Sequence, residues 1–327
     1  MSVLVTGGAG YIGSHTVRQL VATGADVVVL DSMEYGNRAA VLDAELVVGD
    51  IADQALVTEL CRRRGVTQVV HFAAYKAVGE SMEQPGRYWH NNVSGTVALV
   101  EAMLAADVRE MVFSSSCSVY GTPRVVPVDE TAPIGPESVY AETKAMVERI
   151  LFWYGQTKGL RSVSLRYFNA AGASTDGVIG EDWSRSQNLV PLVMKAALGK
   201  APAVQVFGTD YPTPDGTCIR DYIHIEDLAA AHLKSLDHLA AGGPTTALNV
   251  GTGVGSSVLQ VIEATERIAG VEVPKVFTDR RAGDPVSTYA DPAMVQRVLG
   301  WNATRTLDDI IASAWQWHSA HPEGYAS

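Results

Sequence analysis

The chain has 327 residues, 47% of them apolar and 19% charged, with a formal net charge of −11. This size and apolar share fit one large folded unit, or a main domain with a smaller partner, and exclude a disordered polymer. The acidic balance offers no basic field, which excludes non-specific binding of nucleic acid or of an anionic membrane.

Cys61, Cys117 and Cys218 lack disulfide or metal spacing, and the eight histidines show no His-x-x-x-His pattern. No apolar run is long enough to span a bilayer, and the N-terminus lacks the pattern of a secretory signal. The expectation is a protein of the reducing cytoplasm with no metal site.

Residues 3–6 are a short apolar run and residues 11–22 a helical pattern. Between them, Gly7-Gly8-Ala9-Gly10-Tyr11-Ile12-Gly13 holds both a Gly-x-Gly-x-x-Gly and a Gly-x-x-Gly-x-x-Gly spacing. Glycines here permit a tight turn and close approach of a diphosphate to backbone N–H groups, and the helix N-terminus adds partial positive charge. A second strand, 27–30, ends at Asp31, at about the ~20-residue distance expected of a carboxylate that binds an adenosine ribose. A carboxylate there would repel a 2′-phosphate, so NAD is favoured over NADP.

The alternation continues with strands at 46–48, 68–71 and 110–114 and helical patterns at 54–63 and 85–106. Such alternation implies an α/β fold with a doubly wound parallel sheet, whose ligands sit at the carboxyl ends of the strands. The stretches to inspect are therefore Asp50-Ile51, Phe72-Ala73-Ala74-Tyr75-Lys76 and Ser114-Ser115-Ser116-Cys117-Ser118, with Asn92 an amide near the cofactor. Serines after a strand are by default caps. Facing a crevice, they could instead orient a substrate hydroxyl, and no His–carboxylate pair is in register to make one a nucleophile.

Residues 136–156 read as a helix carrying Tyr140 and Lys144 on one face, a turn apart. An ammonium close to a phenol favours the phenolate and lowers its pKa, and such a tyrosine can act as general base and then general acid. The spacing is common in itself and takes its meaning from the cofactor turn upstream.

After Arg166 the rhythm weakens, with helical patterns at 188–200, 225–239, 257–269 and 306–318 and polar loops at 173–187 and 209–217. The expected organisation is a cofactor domain over residues 1–170 and a smaller α/β substrate lobe over 171–327, with some chain crossing back and a cleft between them. Arg220 and Arg281 could pair with the nearby Asp221 and Asp284 at the surface, or clamp a diphosphate with their planar forks. His224 reads as a packed, hydrogen-bonded histidine.

Thr6-Gly7-Gly8-Ala9-Gly10-Tyr11-Ile12-Gly13, Ser114-Ser115-Ser116 and Tyr140-x-x-x-Lys144 resemble the extended short-chain dehydrogenase/reductase family. Five downstream stretches narrow the resemblance to its UDP-sugar 4-epimerase branch: 165–169, 188–191, 207–211, Asp215-Gly216-Thr217-Cys218-Ile219-Arg220-Asp221-Tyr222-Ile223-His224, and 280–284. It spans almost the whole chain. The resemblance implies NAD-dependent interconversion of UDP-glucose and UDP-galactose through a 4-keto intermediate, and often a homodimer formed by the helices at 85–106 and 136–156.

It also implies roles for matching positions. Ser116 would bond the sugar O4, Tyr140 would be the base, and Lys144 would hold the nicotinamide ribose. Asp31 would hold the adenosine ribose, Asp50 and Ile51 would flank the adenine, and Lys76 and Asn92 would contact the cofactor. Gly7, Gly10, Tyr11, Ile12, Gly13, Phe72, Ala73, Ser114 and Phe168 complete that set. Asn169, Asn188, Arg220, Arg281 and Asp284 would hold the UDP moiety, with Leu189 and Phe207 near the uracil and Lys76 reaching the substrate as well.

Thr288 stands where the family has either a bulky or a small residue facing the sugar C2 group, so N-acetylated UDP-sugars are expected to fit. Other readings are an epimerase of UDP-pentoses or uronates, a nucleotide-sugar dehydratase, and an NAD-sensing scaffold. The dehydratase would need a carboxylate where Ser116-Cys117-Ser118 stands, and the scaffold would have lost Tyr140 or Lys144.

Overall fold

The computed structural model describes residues 1–281 and 283–325; residue 282, inside the stretch 280–284, and residues 326 and 327 lie outside the described residues. The first half alternates β1 (Ser2–Thr6), α1 (Tyr11–Ala22), β2 (Asp26–Asp31), β3 (Glu45–Val48), α2 (Gln54–Arg64) and β4 (Gln68–His71). It continues with α3 (Val78–Glu83), α4 (Pro85–Tyr88), α5 (Gly95–Ala105), β5 (Glu110–Ser114), α6 (Val139–Lys158) and β6 (Arg161–Tyr167). The second half holds β7 (Asn169–Ala171), α7 (Leu189–Ala197), β8 (Val204–Phe207), β9 (Ile219–His224), α8 (Ile225–Ala240) and β10 (Thr246–Val250). It closes with β11 (Gly255–Ser257), α9 (Val258–Ala269), β12 (Lys275–Thr278), β13 (Ser287–Thr288), α10 (Ala293–Leu299) and α11 (Leu307–Ala320).

Seven parallel strands form the main sheet in the order β10-β6-β5-β4-β1-β2-β3. Its central strands are apolar on both faces because both are covered. Val3, Val5, Val27 and Val29 enter one core with Leu228 and Leu236 of α8, while Leu4, Val28 and Leu30 enter the other with Leu60, Leu99 and Leu151. Burial of each such side chain stabilises the fold by about 1.5–3 kcal/mol.

The seventh strand, β10, pairs Leu248 with Leu165 of β6, so a segment far beyond residue 170 belongs to this sheet. The remaining strands form a sheet of β11-β9-β13 with β7 on β9, and a β12-β8 pair. Val193 of α7, Ile262 of α9 and Ile310 of α11 build a separate core around them.

Two helices differ from their sequence patterns. The pattern at 85–106 is not one helix but α4, a wide π-helical turn over Trp89–Ser94, and α5. The widened turn carries Asn92 into the fold, as described below. The pattern at 136–156 starts later, at Val139, because Ser138 caps it by accepting the Ala141 N–H at 3.2 Å, and it runs on to a left-handed Gly159.

Candidate active site

The sheet order places the ends of β2, β1, β4 and β5 side by side, and the conspicuous side chains of the first half stand on that edge. Gly7 leaves β1 with φ +72°, and a Cβ there would lie 2.6 Å from the Ala73 backbone nitrogen. Only glycine fits that approach. A Cβ on Gly13 would lie 2.3 Å from the Gly7 carbonyl oxygen, which seats the first turn of α1 directly on the loop.

Gly10 caps α1 without a side chain and no acidic residue occupies its first turn, so the Tyr11 and Ile12 amides open that helix end without intrahelical acceptors. The Tyr11 hydroxyl is engaged, donating to the Gly172 carbonyl at 2.6 Å, which leaves its backbone to a ligand. Asp31 is buried at the end of β2, where it accepts the Ala9 N–H at 3.0 Å and the Met33 N–H at 2.9 Å. Burial raises its carboxyl pKa, and these two amides partly oppose the rise.

An open helix end, a turn without side chains and a carboxylate on the neighbouring strand fit a dinucleotide with free ribose hydroxyls. Around this cradle, Ile51 is buried against Gly95, and Asp50 is exposed with its Oδ1 on the Ala52 N–H. Phe72 and Ala73 continue β4, and the Phe72 ring packs on His232.

Asn92 does not present a free amide to this edge. Its Oδ1 accepts the Tyr75 N–H at 2.9 Å and an Asn91 N–H at 2.9 Å, and its Nδ2 donates to the Tyr75 carbonyl at 3.0 Å and Thr143 Oγ1 at 3.1 Å. The residue holds the post-β4 segment against α6, and its polar capacity is spent within the protein.

Tyr140, Lys144 and Ser116 come together in a buried corner. Ser116 Oγ accepts the Ser118 N–H at 3.2 Å and the Ser118 hydroxyl at 2.9 Å and neighbours the Tyr140 phenol, and Lys144 Nζ donates to the Ser114 carbonyl at 2.7 Å, 5.8 Å from the centre of the Tyr140 ring. Ser114 Oγ meets Tyr167 Oη at 2.8 Å, and buried Phe168 follows. The expected lowering of the phenol pKa is not met by this pair. Burial raises Tyr140 well above its ordinary value, Tyr167 adds to the rise, and neighbouring Ser116 opposes it. Burial also lowers Lys144 to about 7, partly offset by Glu148, and its proton is directed at a carbonyl.

The other cluster is more open. Arg220 and Asp284 pair at 2.5 Å with their side chains 14% and 25% exposed, so the partner of Arg220 is not its neighbour Asp221. Asp221 is instead buried, accepting N–H groups from Thr252, Gly253 and Ala290. Arg281 is exposed and stacks on Phe207 at 4.4 Å.

Exposed Lys76 and Asn188 both meet buried Glu181, at 3.8 and 3.3 Å, and Leu189 opens α7 beside them. Asn169 begins β7, paired with Tyr222 of β9. Thr288 is buried on β13 opposite Arg220, and its Oγ1 has no hydrogen-bond partner. His224 is buried between Ser313 and the Glu226 N–H, as a packed histidine.

Sequence reasoning passed over Glu181, Asp221, Glu148 and His71. His71 bridges Thr6 and Thr96 beneath the corner, at 2.7 and 2.8 Å. Only Asp221 stood inside a conspicuous motif; the others join partners remote in the chain. Among the described residues, no His, Cys, Asp and Glu group could hold a metal ion.

The sequence profile described as the NAD dependent epimerase/dehydratase family matches residues 3–251. UDP-glucose 4-epimerase of Lactobacillus helveticus is 45% identical over 99% of each chain. A solved structure of UDP-glucose 4-epimerase from Stenotrophomonas maltophila, with bound NAD and formylated UDP-arabinopyranose, superposes with TM-score 0.96 at 42% identity over 98% of this chain and 99% of that one. The Bifidobacterium longum enzyme, in complex with NAD+ and UDP, gives TM-score 0.93 at 39% identity over 99% and 100%.

Proposed function

We infer, since the chain belongs to the NAD dependent epimerase/dehydratase family, that it is an NAD-dependent enzyme interconverting UDP-glucose and UDP-galactose at the sugar C4. The observation that carries this reading is the buried Tyr140–Ser116 pair with Lys144, beside a glycine cradle, in a chain related end to end to such enzymes.

Bound NAD supplies the hydride acceptor and donor, and a cationic ring that favours a nearby phenolate. The residues fit it: the Gly7–Gly13 turn with the Tyr11 and Ile12 amides would take the diphosphate, Asp31 the adenosine ribose, and Ile51 the adenine. Lys144 would hold the nicotinamide ribose. Tyr140 would take the proton of the sugar O4, oriented by Ser116, and return it to that same oxygen after the 4-keto sugar has turned its other face to the site.

The lobe after residue 170 would anchor the UDP. Arg220 with Asp284, Arg281 on Phe207, and Asn188, Leu189 and Asn169 would hold the nucleotide away from the reacting carbon, so the keto sugar is retained while it turns. Lys76 would reach in from the cofactor side. The small Thr288 side chain, whose hydroxyl has no hydrogen-bond partner, supports a further reading, that the C2 side of the sugar accepts an N-acetyl group. Thr288→Tyr should reduce the UDP-GlcNAc rate about tenfold or more relative to UDP-glucose; equal loss on both substrates would remove Thr288 from that role.

A homodimer through α5 and α6 is supported by Met146, Phe152 and Trp153, which stand 40%, 44% and 53% exposed along α6. No helix among the described residues is long and apolar enough to cross a membrane. A cytoplasmic setting is proposed from three cysteines that form no disulfide.

The test is to give the purified protein UDP-galactose without added nucleotide and follow UDP-glucose, with Tyr140→Phe in parallel. Turnover by the wild type and near-loss in the variant is expected. If the wild type leaves UDP-galactose, UDP-GlcNAc and UDP-pentoses unchanged with NAD added, the substrate class is wrong.

A further inference from the structure

Glu148 stands one turn beyond Lys144 on α6, and its carboxylate collects donors from the ends of two strands. Ser115 Oγ donates to it at 2.5 Å, and Arg166 of β6 grips it in a fork, Nε to Oε1 at 2.9 Å and Nη2 to Oε2 at 2.5 Å. The pair is nearly closed to solvent, the two side chains being 9% and 12% exposed.

From Arg166 the bonds continue through Tyr120 Oη at 2.9 Å to Asn249 Oδ1 at 2.8 Å, and Asn249 Nδ2 donates to the Val128 carbonyl at 2.9 Å. Val128 in turn bridges Ala290, two residues beyond Thr288. Of three consecutive serines, Ser114 meets Tyr167, Ser116 accepts from Ser118, and Ser115 turns to Glu148.

We propose that Glu148, braced by Arg166, is a positioning residue for the proton transfer. It ties α6 to the end of β5, where the Ser114 carbonyl takes a Lys144 proton and Ser116 neighbours Tyr140, and its negative charge, one helical turn from Lys144, favours that ammonium. The proposal rests on the reading of Tyr140 as the proton carrier.

The groups packed around Lys144 leave that second task to Glu148. His71, on β4, is lowered by burial to about 3 and is neutral in the working range. Without NAD, burial raises both Tyr140 on α6 and Tyr167 on β6, Tyr167 to about 12, so neither phenol supplies a negative charge to the ammonium. Cys117, beyond Ser116, is likewise raised to about 12. Glu148 is the carboxylate acting on the ammonium, and Arg166, which also donates to Tyr120 Oη, holds it in place.

The experiment compares wild type with Glu148→Gln, an isostere without charge, and with Ser115→Ala, which removes one bond and no charge. Two quantities are read: kcat and KM for UDP-galactose, and the midpoint at which the 13Cε resonance of Lys144 titrates in isotopically labelled protein, assigned with Lys144→Met.

Glu148→Gln should lower kcat by about tenfold or more with KM within threefold, and move the Lys144 midpoint down by about one pH unit. Ser115→Ala should lower kcat by about threefold and leave the midpoint in place. Should Glu148→Gln lose its near-ultraviolet circular dichroism, Glu148→Gln/Arg166→Met, which leaves no unpaired buried charge, carries the same expectations. A folded variant with a wild-type midpoint and wild-type kcat overturns the proposal. The midpoint needs no substrate, so it is read even if UDP-galactose proves inert, and wild-type turnover separates that failure from this one.

Discussion

Tyr140, Ser116 and Lys144 are 8%, 8% and 4% exposed, with Lys144 tied to the Ser114 carbonyl, whereas Lys76, at 63%, and Arg281 stand in solvent. Proton transfer gains from desolvated groups held in one geometry, because their interactions are stronger and need no rearrangement in the transition state. Binding a diphosphate makes a different demand. A hydrated cation recruited on arrival costs less to keep in the free protein than a buried one. The first cluster should therefore act on kcat and the second on KM.

The largest test of that division is Tyr140→Phe, which removes the proton carrier and little else. We expect kcat to fall by about 10²–10⁴-fold with KM within threefold in initial-rate measurements with UDP-galactose. A variant that changed KM alone would break the comparison.

Gly7→Ala should act next most strongly, because it forces a Cβ to within 2.6 Å of Ala73 at φ +72°. Retained NAD, released by denaturation and measured enzymatically, should fall in proportion to an affinity loss of about 10–100-fold. Unchanged NAD content would mean that the turn yields and does not cradle.

Within the cluster proposed to hold UDP the comparison can be sharpened. Arg220 is largely enclosed and braced by Asp284, so Arg220→Ala should raise KM by about 10–100-fold with kcat within threefold. Exposed Arg281 should matter less, about threefold to tenfold, as solvation weakens its bonds. Equal effects would show that the two arginines close on the nucleotide together.

The same contrast governs what could be read from the sequence. The cofactor edge was legible because its strands are periodic apolar runs and its glycines, Asp31, and Tyr140 with Lys144 each lie at fixed local spacings. Thr288 and Phe207 sit on strands of two and four residues, too short to show a period, and the sheets that hold them join segments far apart in the chain. Glu148 looked like any helical glutamate, because Arg166 and Ser115 reach it from two other strands. Asn92 was placed near the cofactor by its neighbourhood, but only the widened turn at Trp89–Ser94 shows its amide spent on Tyr75 and Thr143. Helical spacing reports the proximity of Tyr140 to Lys144 and says nothing of burial, which raises the phenol.

Acid gives the smallest and most graded test, since each half holds a buried histidine. His71, beneath the proton-handling corner, and His318, stacked on Trp183 in the substrate lobe, are both held at about 3 by burial. Their folded pKa lies below the unfolded value of ~6.5, so the unfolded chain binds more protons throughout the interval between. Stability is therefore complete above about pH 6.5 and falls with pH towards about 3, by ~1.4 kcal/mol per pH unit for each histidine. His71→Gln is neutral and can keep a bond to Thr6 or Thr96, so it should flatten the fall in urea-unfolding free energy between pH about 6 and about 4 by one histidine's share. Unfolding followed by tryptophan fluorescence, four of the six tryptophans lying beyond residue 170, and by loss of turnover should give the same slope if the halves unfold together. A slope changed only in the turnover signal would mean that the proton-handling corner opens on its own, and that its rigidity is local.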